Sequence, residues 1–245
     1  MSSRTKHRAP RAAEPARRDP EFLKFAYTAA HDLSSPLRKI VTFGDLLKAR
    51  LELKADPMEL DYLERIRRSA AAASEIVAGL MTMARLAHEE LPPENVNLDA
   101  VLNEVKQELA AEIAATGAVI ESPRLPVVVA HRALMHLLLS TLLSNAVKFG
   151  VAGRAPAVRV DFRRNGDGLE LRVADDGIGF DASYAEKIFE PFARLNAQGV
   201  YPGHGLGLAI ARGIARRYGG DLTAASRPEG GSTFTARLPS SFLAR

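Results

Sequence analysis

His31 stands in the run Ala30-His31-Asp32-Leu33-Ser34-Ser35-Pro36-Leu37, over a hundred residues ahead of an asparagine and several glycine-bearing stretches. A carboxylate beside an imidazole can accept from Nδ1–H, fix the tautomer and leave Nε2 as a nucleophile. An unperturbed histidine also has a substantial neutral fraction near pH 7. Ala29 and Leu33 belong to an apolar stripe. Two helical residues turn a side chain by about 200°, so the His31 ring is expected to face solvent. Pro36 cannot donate to the Asp32 carbonyl, which predicts a bend just after the histidine. Position alone would make His31 an ordinary surface histidine; its neighbours make it a candidate phosphoacceptor.

The second set lies in Ser144-Asn145-Ala146-Val147-Lys148-Phe149, Asp175-Asp176-Gly177-Ile178-Gly179 and Gly203-His204-Gly205-Leu206-Gly207. Asn145 offers a neutral oxygen to Mg²⁺, a cation that keeps several waters and takes few protein ligands. Lys148, one turn on, can meet a phosphate as a point charge. Asp175, at a strand end with glycines behind it, can accept from the exocyclic amine of a flat ring while backbone approaches that ring. The glycines from 203 to 207 precede a helix whose unpaired N–H groups favour phosphate. A dinucleotide fold is excluded, because the strand-loop-helix unit with an acid some twenty residues on is missing. Phe189-Glu190-Pro191-Phe192-Ala193-Arg194 falls in the loop-rich stretch between the glycine segments, which reads as a lid with Arg194 aimed at a γ-phosphate. Each piece alone has a bland alternative: a polar helix end, an Asp-Gly turn, an exposed arginine. Their order along one chain favours a nucleotide pocket.

These groups need two scaffolds. From Glu21 to about Leu91 apolar residues recur at three- and four-residue steps: Phe22, Phe25, Ala29, Leu33, Leu37, Ile40, Gly44, Leu47 and Leu51, then Leu60, Leu63, Ile66, Ala70, Ala73, Val77, Leu80, Ala84 and Ala87. Asp56-Pro57 supplies an N-cap and first helical residue between them. The spacing predicts an antiparallel helical hairpin. Two helices cannot bury both stripes, so a second copy should complete a four-helix bundle. Beyond the linker at 92–97, Leu98–Thr116, Arg132–Lys148 and Leu206–Tyr218 read as helices. Val127–Val129, Val158–Arg163, Leu169–Ala174, Asp221–Ser226 and Ser232–Leu238 read as strands, with a hairpin turn at Asn165-Gly166-Asp167-Gly168. The fold class is therefore a helical hairpin followed by a two-layer α/β sandwich with a mixed sheet. The expected division is 1–20 disordered basic tail, 21–91 helical domain, 92–97 linker and 98–241 α/β domain.

Composition narrows the function further. The net charge of +4 resides in residues 1–20, and the rest of the chain is balanced. A basic body for nucleic acid is excluded on that ground. With no cysteine there is no disulfide and no thiolate metal site, compatible with a cytoplasmic address. The longest apolar run, Leu134–Val147, is interrupted by His136, Ser140, Thr141, Ser144 and Asn145, which argues against a transmembrane segment.

The ordered set resembles the sensor histidine kinases of two-component signalling, over residues 21–239. Ala30-His31-Asp32-Leu33 with Pro36-Leu37 is similar to the H box in its phytochrome-related form. Asn145 and Lys148 are similar to the N box, Asp175–Gly179 to the first glycine box, Phe189–Phe192 to the F box, and Gly203–Gly207 to the second glycine box. Thr141 stands where many members carry a further asparagine, and Ser35 where bifunctional members carry Thr or Asn. The resemblance implies a dimerisation and phosphotransfer bundle joined to an ATP-binding domain of the gyrase, Hsp90, histidine kinase and MutL type. It implies Asp175 on the adenine amine, Asn145 on Mg²⁺ and Lys148 by the phosphates. Phe149, Gly177, Gly179, Phe192, Gly203, Gly205, Leu206 and Gly207 would line the pocket, with Arg194 in a lid over ATP. Nε2 of His31 would attack the γ-phosphorus, assisted by Asp32. The implied partners are a second copy of the chain, an aspartate on a separate response regulator, and a separate sensor. The alternative is a nucleotide-binding pseudokinase or scaffold without phosphotransfer.

Overall fold

The computed structural model of the chain describes residues 20–51, 56–88, 91–166, 168–195, 204–228 and 230–244. The expected basic tail, except Pro20, lies outside them. Two long helices come first, α1 (Pro20–Leu51) and α2 (Pro57–His88). Asp56 starts α2 as its residue type dictates: its carboxylate accepts from Met58 N at 2.9 Å, while Glu59 reaches back to Asp56 N at 3.2 Å. This is a reciprocal capping box. The helices run antiparallel, tied by Arg67 to Asp45 at 2.6 Å and Lys48 to Glu64 at 3.5 Å. On α2 the buried residues are Leu63, Ala70, Val77 and Ala84, one per heptad, which is the seam spacing of a coiled coil. A second apolar row, including Leu33, Ile40, Leu47 and Ile66, stays exposed in the single chain.

The α/β part contains β1 (Glu94–Asn97), α3 (Leu98–Glu108), α4 (Ala110–Thr116), β2 (Val119–Glu121), β3 (Val127–Ala130), α5 (Arg132–Lys148), β4 (Ala157–Asn165), β5 (Gly168–Asp175), α6 (Gly207–Arg217), β6 (Asp221–Ser226) and β7 (Ser232–Pro239). The main sheet has the order β2-β4-β5-β7-β6, with β2 parallel to β4 and the other pairs antiparallel. Helices α5 and α6 pack on one face of this mixed sheet, with α3 against α5. Leu138, Leu139, Leu142 and Leu143 of α5 meet Val160, Leu171, Val173 and Leu222 in a core wholly withdrawn from water. The opposite face carries charge, with Asp161 between Arg159 and Arg163, and Glu170 beside Arg237.

Two expectations need correction, and one strand was not expected. Glu94–Asn97, read as linker, is a strand antiparallel to β3, with Val96 buried beneath the core. The helix expected over Leu98–Thr116 breaks at Leu109, whose φ and ψ of −88° and 11° let the chain turn into α4. Val119–Glu121, which the sequence pattern leaves unassigned, forms the parallel edge strand β2.

Candidate functional site

Four segments converge at the ends of β5 and α5 and at the start of α6. Asp175 closes β5, and its Oδ1 accepts from Gly177 N at 2.9 Å and Ser232 N at 3.1 Å. Oδ2 has no hydrogen-bond partner among the described residues. Burial pushes this carboxyl above the usual aspartate range, against the pull of the two backbone N–H groups. The adjacent Asp176 points elsewhere, accepting from Ala157 N at 2.8 Å and pairing with Arg154 at 3.1 Å. Neighbouring carboxylates thus have separate duties, one structural and one turned inward.

Gly177 lies so close to the Phe149 carbonyl that a Cβ there would collide with it, and Ile178 N donates to the same carbonyl at 2.9 Å. The glycine segment is thereby joined to the end of α5, where Asn145, Lys148 and Phe149 sit. The Asn145 side-chain amide has no partner among the described residues. Lys148 lies 4.6 Å from the centroid of the Phe149 ring. Burial lowers its pKa, the Arg194 charge lowers it further, and Glu75 partly opposes both. Lys148 and Arg194 are therefore close enough to repel, an arrangement suited to a polyanion between them.

The two flanks of the stretch read as a lid are joined by Phe192 N donating to Gly205 O at 3.0 Å. Phe192 itself has φ of 66°, a left-handed conformation unusual for a non-glycine residue. Gly205 has φ of 72°, and a Cβ there would fall 2.6 Å from the Ala193 carbonyl. Gly207 opens α6 against the Thr141 methyl, so Thr141 fills the space behind the first turn of that helix. Gly203 lies outside the described residues.

Sequence reasoning missed three neighbours. Ser232 supplies a backbone N–H to Asp175, Ser226 Oγ accepts from Phe180 N at 2.9 Å, and His204 meets Glu75 of α2. All are contacts between residues more than 45 positions apart, which no local pattern encodes. His31 and Asp32 fall within α1, but the orientation of their side chains lies outside the described residues. The α/β domain rests on α2 through α6.

The donor set suits nucleotide with Mg²⁺. No group of three or more His, Cys, Asp or Glu able to hold a metal occurs among the described residues. A single neutral oxygen from Asn145 fits a cation that takes its other ligands from phosphate and water.

Comparison with known proteins agrees in both halves. The model of the His Kinase A (phospho-acceptor) domain matches residues 23–89, and that of the Histidine kinase-, DNA gyrase B-, and HSP90-like ATPase matches residues 130–241. The sensor-like histidine kinase SenX3 of Mycobacterium tuberculosis is 31% identical over 237 residues, covering 92% of this chain and 54% of the relative. The sensor protein KdpD of Escherichia coli is 33% identical over 223 residues, 89% of this chain and 25% of its own length. The phytochrome-like protein Cph1 of Synechocystis is 28% identical, covering 91% of the chain and 30% of the relative. The chain thus spans about half or less of the curated relatives it matches. Among solved structures, full-length ShkA in complex with AMPPNP superposes with a TM-score of 0.71 at 24% identity, over 92% of this chain and 46% of that one. This likeness concerns the fold. With a match to the phospho-acceptor domain, a match to the ATPase domain behind it and relatives named as sensor histidine kinases, the chain belongs to the sensor histidine kinases.

Proposed function

We propose that this chain is an ATP-dependent protein histidine kinase that phosphorylates His31 and passes the group to an aspartate on a separate response regulator. The observation that carries the reading is Asp175. Its buried carboxylate has one oxygen held by two backbone N–H groups and the other uncommitted among the described residues, as recognition of an adenine amine requires. Lys148 and Arg194 supply positive charge for the phosphates, and the first-turn amides of α6 supply donors. Asn145 would hold Mg²⁺, which when bound neutralises phosphate charge.

In the proposed step His31 attacks through Nε2. A nitrogen–phosphorus bond forms in line as the bond from the γ-phosphorus to the β,γ-bridging oxygen breaks, and ADP departs. Asp32 orients the ring and stabilises the imidazolium as charge develops. Positioning and electrostatics carry most of the rate in phosphoryl transfer. The exposed apolar row on the hairpin supports a homodimer in which a second copy covers it. A separate input protein and a cytoplasmic setting, where ATP is supplied, complete the reading. No helix among the described residues is long and apolar enough to cross a membrane.

Incubation with γ-labelled ATP and Mg²⁺ is expected to give acid-labile, alkali-stable label, lost in His31→Gln and Asn145→Ala. Label that persists in His31→Gln would reject the mechanism. Nucleotide-dependent stabilisation without any label would favour a pseudokinase.

A further inference from the structure

The second glycine box touches the helical hairpin. His204 Nδ1 lies 2.9 Å from Glu75 Oε2. Beside this pair, Leu206 fills the notch left by Gly79, where a Cβ would approach Leu206 Cδ1 to 2.5 Å. Further along, Arg217 donates to the Leu86 carbonyl at 2.7 Å. Glu75, Gly79 and Leu86 are spaced by four and seven residues, so they share one face of α2. Helix α6 lies along that face.

Glu75 differs from the hairpin's other two contributions, Gly79 and the Leu86 carbonyl, because it brings a negative charge. Its side chain is 66% exposed and that of His204 24%. The Glu75 charge is also felt by Lys148, in the opposite sense to that of Arg194. A carboxylate from the hairpin therefore stands at the cationic edge where a triphosphate would place its own negative charge. The Lys48–Glu64 and Arg67–Asp45 pairs set the register of α1 against α2. In that register Glu75 lies level with Leu37, about two helical turns from His31 along the hairpin.

We infer that Glu75 is an internal stand-in for phosphate: its contact with His204 latches the nucleotide domain onto α2, and triphosphate binding and latch release are coupled. This inference rests on the nucleotide reading above and adds its regulation. Two anions compete for one set of cations, so the docked arrangement weakens triphosphate binding, and triphosphate weakens docking by the same factor. Leu206 over Gly79 and Arg217 on Leu86 bring no carboxylate and guide the domain when the latch opens.

The test is equilibrium binding of a non-hydrolysable ATP analogue with Mg²⁺ to the full chain, by calorimetry. Glu75→Gln should tighten binding by about two- to fivefold, the scale of an exposed charged contact. Glu75→Asp keeps the charge but withdraws the carboxylate by one methylene, and should tighten binding as Glu75→Gln does. In a His204→Ala background, Glu75→Gln should have no effect. Wild-type affinity in Glu75→Asp beside a tightened Glu75→Gln would mean through-space repulsion and overturn the latch. An undiminished Glu75→Gln effect without His204, or no effect in any variant, would also overturn it. If the wild-type chain binds no analogue, the nucleotide reading itself fails and the latch with it. Circular dichroism of each variant checks that the helices are intact.

Discussion

The two halves of this molecule bury their apolar residues to different degrees. In the α/β domain the large residues of α5 are fully covered by their own chain, Leu138, Leu139, Leu142 and Leu143 each at 0% exposure. On the hairpin, Phe43 is 65% exposed, Leu46 58%, Met58 58% and Ile66 54%. One half completes its core alone, and the other presents an apolar row that nothing in the single chain covers. The nucleotide pocket therefore sits on a self-sufficient scaffold, while the histidine sits on one whose apolar row its own chain leaves uncovered, as the proposed homodimer requires. Stability and oligomeric state should respond to different substitutions.

The strongest way to break that contrast is Leu142→Ala. Truncating a fully buried leucine costs about 2–5 kcal/mol, so the α/β domain should melt at a markedly lower temperature in calorimetry while the chain remains dimeric. Loss of the dimer along with the core would mean that the halves are not independent. The converse is Ile66→Lys, which places a charge in the exposed row and removes an apolar contribution of roughly 2 kcal/mol per protomer. Sedimentation should show dissociation at least about tenfold easier, with an unchanged melting transition for the α/β domain. A variant as dimeric as wild type would remove the row from the interface.

The smallest effect concerns acid. Arg212 grips Asp221 through two hydrogen bonds at 2.8 and 2.9 Å, reaches Glu186 at 2.8 Å, and lies 4.9 Å from the centroid of the Phe189 ring. The guanidinium holds the Asp221 carboxyl well below the usual carboxylate range. A group with a depressed folded pKa adds stability above its unfolded value, near 4, and loses it as pH falls toward the folded value. Asp221 is 38% exposed, so screening leaves about 1 kcal/mol. Asp221→Asn should thus be about that much less stable than wild type at pH 7, and the difference should shrink below pH 4. A gap that widens in acid would contradict the assignment.

Long elements were legible because their patterns are long. Seventeen residues from Arg132 to Lys148 form α5, the span expected from the sequence. Strands β4 to β7 lie within two residues of their alternating runs. The short edges were not legible. β1 turns only Val96 into the core, and β2 has three residues with none buried, so neither repeats enough to show a period. Within the site, Asp175, Gly177 and Gly205 announced themselves through residue type, since each occupies a place that a larger or neutral side chain would spoil. Glu75 could not, because nothing near residue 75 implies a histidine 129 positions away.

The single bond from Phe192 N to Gly205 O has an evolutionary corollary. Its two ends are fixed by the walls of the cleft, so residues can be added or removed between them, away from Arg194 and His204, without disturbing those walls. Each doubling of such a loop costs only about 0.6 kcal/mol in closure entropy. Insertions and deletions between Arg194 and His204 are thus among the cheapest ways for descendants of this chain to diversify.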